Sequence, residues 1–321
     1  MSIDDRIAAI AITQNWLISA RQCLMIGMTR DDIRTRVRRG EWVLMARGVY
    51  LVNADLHWDG LPEQAWWRAA VLSYGPGSCI VGVAAVSALG ISGSPPGRRP
   101  IEVAKVGGGS RDGRKIDERA RRLQGWDDGF IVRQLPVQAN EIVHVDGIPV
   151  RRADRSVIDA ALSVDRGSAL ALLDSALRTR ALTPAELRNS VAAAAHRPGI
   201  VMLRQIATYA DGRAESPLES LVRLACIDGG VTPDDLQYTV RDTADNIIAV
   251  GDLAWFLRRA RPLLAEADGE SVHGLPAPVY RDRHRGNALV GRSCDTIRFT
   301  YEDTRRRGYI AWAVKDALRA A

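Results

Sequence analysis

The stretch with the clearest chemistry is residues 30–39, Arg-Asp-Asp-Ile-Arg-Thr-Arg-Val-Arg-Arg, with five arginines against two aspartates. Ile33 and Val37 are four residues apart, so in a helix they share one face and must point into a core. That turns Arg34, Thr35 and Arg38 outward, puts Arg36 and Arg39 on the flanks, and sets Arg30 at the start. Guanidinium forks hold phosphates and pair bidentately with guanine edges, so this outward face suits a polyanionic groove. The alternative left open by the residues is a small helical module whose arginines are a solvated charged face.

The flanking residues supply elements able to present such a face. Ile7, Ile10, Ala11 and Gln14 have helical spacing, predicting a first short helix that ends near Asn15. Ser19 is placed to cap a helix over 20–26, and Gly27 to end it. Thr29 is a second N-cap, with Asp32 three positions on completing a capping box, and Gly40 ends the helix over 30–39. Two helices joined by a glycine-containing turn form a helix-turn-helix pattern. Residues 42–45 and 48–52 then alternate as two short strands around Ala46-Arg47-Gly48. A basic turn such as Arg47 after a recognition helix is what a wing needs to reach a nucleic-acid backbone.

The whole chain is compatible with a polyanionic partner, its formal net charge being +6. Its length of 321 residues predicts two or three compact units. Lysine occurs only at Lys105, Lys115 and Lys315, so nearly all positive charge is arginine and most of the chain has no lysine for a catalytic role. Cys23, Cys79, Cys226 and Cys294 are widely spaced, without a C-x-x-C pair or zinc spacing, and read as buried thiols of a reducing compartment. The start Met-Ser-Ile-Asp-Asp lacks the basic region of a secretory signal, and no apolar run approaches the ~20 residues that span a bilayer. The expectation is a soluble, cytoplasmic protein without a membrane partner.

In the middle of the chain, Trp66-Trp67 marks a helix with a buried aromatic face, and residues 83–89 a second helix. Residues 92–99 read as a loop, and 101–106, 130–135 and 148–151 as strands. Gly107-Gly-Gly-Ser lacks the spacing and the lysine of a phosphate loop and reads as a turn. Arg155 and Asp159, at i and i+4, are expected to form a structural ion pair, and residues 170–177 and 184–194 further helices. Thr29 to Arg39, then Arg47-Gly-Val-Tyr50, then Asp146-Gly-Ile-Pro149 leading into Arg155-Ser156-Val-Ile-Asp159, are similar to the AbiEi-family antitoxins of type IV toxin–antitoxin (abortive infection) systems. Where many of those relatives carry a Ser-His pair, this chain has Val81-Gly82-Val83. The resemblance covers about half to two-thirds of the chain. It implies promoter binding for autoregulation and neutralisation of a nucleotidyltransferase-like toxin.

Ser216-Pro217 predicts a capped helix start, with Glu219 in the first turn. Residues 236–240, 247–255, 261–266 and 295–300 read as strands, and 309–318 as a final helix, together a compact α/β layer. This order resembles the PD-(D/E)XK nuclease superfamily, particularly relatives of the Vsr-like endonucleases. The matching positions are Glu219, Asp252, Glu266-Ala-Asp268-Gly, His273, Asp282-Arg283 with Arg285, and Arg298-Phe299-Thr300. The resemblance implies that Asp252 and Glu266 converge on Mg²⁺ with the Ala267 carbonyl, and that Glu219 completes the shell. Asp268 occupies the superfamily's lysine position. Either His273 or Arg283 substitutes for it, or the domain is a catalytically inactive platform for DNA or protein.

The expected fold is therefore mixed α/β. It comprises a winged helix-turn-helix over 1–55, an α+β antitoxin-like middle domain over 56–210, and a PD-(D/E)XK endonuclease-like domain over 211–321. Three functions compete: an antitoxin-like regulator that binds double-stranded DNA at its own promoter, a metal-dependent endonuclease that the winged helix delivers to phage or plasmid DNA, and a protein-interaction module.

Overall fold

The computed structural model describes residues 1–52, 61–95, 100–107, 129–242, 244–256, 261–268 and 294–319. His273, Asp282, Arg283 and Arg285, and the Gly/Arg-rich connection beyond Gly107, lie outside the described residues. The chain is mixed α/β and divides into two compact units, one of residues 1–90 and 96–160, the other of residues 91–95 and 161–321. The division falls at Ala160–Ala161, whereas the sequence alone placed breaks after 55 and after 210. No described helix is long and apolar enough to cross a membrane.

The first unit opens with helix α1 (Ile3–Ile12), strand β1 (Leu17–Ser19), helices α2 (Ala20–Met25) and α3 (Arg30–Arg38), and strands β2 (Trp42–Ala46) and β3 (Val49–Val52). The three strands form an antiparallel sheet in the order β1-β3-β2. All three helices begin with a capping box, Ser2 with Asp5, Ser19 with Gln22 and Thr29 with Asp32, which satisfies amide hydrogens that a helix start leaves bare. Gly48, at φ +73°, supplies the left-handed residue of the two-residue turn between β2 and β3.

Next along the chain come α4 (Glu63–Tyr74), β4 (Ser78–Ile80), α5 (Gly82–Ala88), β5 (Ile101–Lys105), β6 (Phe130–Val132), β7 (Ile142–Val145), β8 (Ile148–Arg151) and α6 (Ala153–Ala161). Five strands pair in the order β6-β5-β4-β8-β7. Leu17, Met45 and Leu51 of the opening module share one hydrophobic core with Trp66 and Trp67 of α4 and with Ile80, Val103 and Val150 of this sheet. Each such side chain contributes about 1.5–3 kcal/mol by leaving water, so the module and the sheet are stabilised jointly. Arg68 adds a polar tie, its Nε donating to Asn15 Oδ1 at 3.0 Å and its Nη2 to the Asp146 carbonyl at 2.5 Å.

A buried polar cluster braces the sheet's edge. Arg151 donates to Asp159 at 2.8 Å and to Glu141 at 2.9 Å, and Arg155 pairs with Glu141 at 2.9 Å. The ion pair expected between Arg155 and Asp159 is thus replaced by two others. Asp159 lies on the buried side of α6 and meets the strand residue Arg151 rather than its helical neighbour.

The second unit contains α7 (Arg166–Arg178), α8 (Pro184–Ala193), α9 (Ile200–Ala207), α10 (Pro217–Asp228), β9 (Asp235–Arg241), β10 (Ile247–Trp255), β11 (Leu263–Ala267), β12 (Asp295–Phe299), α11 (Tyr301–Arg305) and α12 (Tyr309–Arg319). Its sheet runs β12-β11-β10-β9, antiparallel except for the parallel pair β11–β12. Leu218 and Val222 of α10 pack with Leu253, Leu263 and Phe299 of the sheet and Val314 of α12. Gly229 permits close approach of α10 to α12, since a Cβ there would overlap that of Ala311. Residues 161–210 belong with this unit because α7 is tied to α10. Asp174 accepts from Arg223 Nη2 and from Ser220 Oγ, all three side chains being buried.

Candidate nucleic-acid interface and acidic cluster

Helix α3 buries Ile33 and half-buries Val37, and leaves Arg30, Arg34, Arg38 and Arg39 exposed. Arg34 Nη1 lies 2.9 Å from Asp31 Oδ1 with both side chains in solvent, 71% and 83% exposed. An exposed pair of this kind is worth only about 0.2–1 kcal/mol, so a phosphate can displace the aspartate. Arg38 Nη2 donates to Thr35 Oγ1 at 3.3 Å, and Arg39 lies 3.8 Å from Glu41. Arg47 is exposed on the β2–β3 turn.

Arg36 behaves differently. It is half-buried, donates to Asp4 Oδ1 at 2.5 Å, lies 3.6 Å from Glu41, and covers the Trp42 ring at 5.5 Å from its centroid. Of the arginines that sequence reasoning gave to the interface, this one is engaged with its own module. Asp4 lies 32 residues upstream, so no local spacing signalled the pair.

In the second unit, Gln237 bridges Glu219 and Asp252, and Glu266 lies near enough for its charge to act on Asp252. Glu219 is buried and accepts the Glu215 amide at 2.8 Å. Gln237 Nε2 donates to Glu219 Oε2 at 2.9 Å and to Asp252 Oδ1 at 3.4 Å. Asp252 Oδ2 accepts the Ala267 amide at 2.7 Å, and Glu266 pairs with Arg298 Nε at 2.7 Å. Gln237, which sequence reasoning missed, has a left-handed φ of +51° within β9, and no motif marks such a residue. Asp268 is half-exposed at the end of β11, its amide donating to the Phe299 carbonyl at 2.8 Å. His273 lies outside the described residues.

Burial pushes Asp252 up to about 6; the charges of Glu219 and Glu266 add to this, while the Ala267 amide and Gln237 oppose it. The folded state therefore favours the neutral acid. Its contribution to stability is present below the ordinary carboxylate value and is lost as pH rises through about 6. Asp252→Asn fixes the neutral form and should raise stability by about 1–2 kcal/mol near pH 8, the full value of the shift being reduced by solvent screening. The gain should vanish near pH 4, where both side chains are neutral. Urea unfolding at the two pH values measures it, and equal midpoints at both would show that the cluster imposes no such cost.

Carboxylates and a backbone carbonyl are the donors Mg²⁺ prefers. As placed here, however, both Asp252 oxygens accept hydrogen bonds and Glu266 is held by Arg298, and no group of three metal-capable side chains forms among the described residues. In this arrangement the cluster does not fit a divalent cation.

No family model matches the chain. Over 151 residues it is 36% identical to two proteins named only as uncharacterized, from two strains of Mycobacterium tuberculosis, an alignment covering 47% of this chain and 54% of each relative. The chain thus spans about half the length of the curated relatives it matches.

Proposed function

We propose that the protein is a DNA-binding regulator whose opening module is a winged helix, with α3 as the recognition helix and the Arg47 turn as the wing. The observation that carries the reading is the exposed cationic face of α3, with Arg30, Arg34 and Arg38 free of the core while Ile33 anchors the helix beneath. The element order helix, strand, helix, helix, strand, strand, with β3 paired between β1 and β2, supports it. The antitoxin-like role, autoregulation at its own promoter and neutralisation of a nucleotidyltransferase-like toxin, is proposed on the sequence resemblance. The test is fluorescence anisotropy with a random 20-base-pair duplex between about 50 and 200 mM salt, where contact with several phosphates gives a steep loss of affinity. Binding that is absent or independent of salt rejects the reading.

A second reading rests on the proximity of Glu219, Asp252 and Glu266, with Asp252 proton-loving. The unit containing them would then be a PD-(D/E)XK-type, Mg²⁺-dependent DNA endonuclease, which requires Arg298 to release Glu266 and Asp252 to ionise. Nicking of supercoiled plasmid by wild type but not by Asp252→Asn supports this. Identical behaviour of the two proteins rejects it.

A further inference from the structure

A groove of about 940 Å³ opens in the first unit between α2, the β2–β3 turn, the end of α4 and β5. Three cations line it, Arg21 and Arg47 exposed and Lys105 half-exposed, and no acidic residue does. None of the three forms an ion pair among the described residues. They come from three different segments. Each segment is fixed by backbone or hydroxyl hydrogen bonds: the Ala20 amide to the Gly48 carbonyl at 2.8 Å, Ser73 Oγ to the Arg47 carbonyl at 3.2 Å, and the Val106 amide to the Gly77 carbonyl at 2.9 Å. The segments that carry the three cations are therefore held together by the backbone. Like charges gathered in one concavity repel one another, and a bound anion removes that repulsion. Apolar side chains also line it, among them Met25 (76% exposed), Val71 and Leu72. The volume is that of a site for a small organic ligand.

We propose that this groove binds a phosphate-bearing ligand, with the phosphate among Arg21, Arg47 and Lys105 and the organic part against Met25 and Leu72. A free mononucleotide has this chemistry, and so does the phosphodiester backbone of a duplex lying along the module. No α3 residue lines the groove, but Arg47 belongs to the proposed wing, so the duplex arm of the proposal rests on the DNA-binding reading while the free-nucleotide arm does not.

The experiment compares wild type, Arg21→Gln/Lys105→Gln and Arg34→Ala/Arg38→Ala, each checked for folding by circular dichroism. Two probes are used: ATP without added metal, by calorimetry, and the random duplex, by anisotropy across a salt series. If the ligand is a free nucleotide, wild type and the α3 variant bind ATP alike and the groove variant binds it at least tenfold more weakly. If it is duplex backbone, ATP does not bind, and the groove variant loses duplex affinity with a salt slope lower by about two, one for each lost cation. Binding of neither probe by wild type, or unchanged affinity of the groove variant for both, overturns the proposal.

Discussion

Replacing Arg34 and Arg38 together with alanine is expected to weaken binding of a random duplex roughly 30-fold at about 100 mM salt, corresponding to about 2 kcal/mol for two lost guanidinium contacts. The slope of log affinity against log salt should fall by about two, because each arginine that neutralises a phosphate releases its own counterion. Both side chains are exposed on α3, so the unfolding midpoint should stay where it was. Arg36→Ala provides the contrast. Its guanidinium serves Asp4, Glu41 and Trp42, so the variant should lose about 1 kcal/mol of stability and little DNA affinity. Were Arg36→Ala to abolish binding while the double variant bound normally, α3 would not be the reading element.

The largest stability effect is expected at Arg151. Its side chain is 6% exposed and serves two carboxylates, Glu141 and Asp159, that are themselves 12% and 5% exposed. Removing the cation takes the buried charge partner from Asp159 and leaves Glu141 with Arg155, and breaking a buried pair in this way costs about 3–5 kcal/mol, a large share of the roughly 5–15 kcal/mol by which domains are stable. Arg151→Met should therefore shift urea unfolding strongly. The triple variant Arg151→Met/Glu141→Gln/Asp159→Leu, which removes the charges together, should recover most of the loss. A single variant that costs under about 1 kcal/mol would show that the cluster is not the brace of the sheet edge. The pH dependence has a definite sign. Burial opposes ionisation of Glu141, but hydrogen bonds from Arg151 and the Gln138 amide and the charges of Arg151 and Arg155 outweigh it and hold the carboxyl below its usual range. Its contribution is thus present above the ordinary carboxylate value and fades as pH falls through the lowered one.

Local chemistry was legible in the sequence and long-range partnership was not. Thr29 with Asp32, and Ser216 with Pro217, announce helix starts because the capping residues are neighbours, and both starts are where the sequence puts them. Strand β1 escaped notice because Leu17–Ser19 is three residues long and entirely buried, so it shows no alternation. It is also entered through Asn15 and Trp16, whose φ of +54° and +62° no turn motif foretells. The two-strand reading of the opening region therefore lacked the strand that completes its sheet. The i, i+4 rule gave Asp159 to Arg155, but the rule knows nothing of which helical face is buried, and burial delivers Asp159 to Arg151. At the acidic cluster, the sequence named Glu219, Asp252 and Glu266, and helix α10 with strands β10 and β11 brings them near one another. The donors that occupy them, Gln237 and Arg298, depend on register across β9, β10 and β12, which only pairing reveals.

The core shared by Leu17, Met45 and Leu51 with Trp66, Trp67 and Val150 bears on how this chain can be rearranged. Excising the first 52 residues would strip apolar cover from α4 and the five-stranded sheet, and the excised piece would carry its own half of that contact into water. The opening module is thus not a detachable cassette. Grafting it onto a foreign scaffold, or cutting it away to isolate the five-stranded sheet, should yield aggregating fragments unless the helix of Trp66 and Trp67 travels with it.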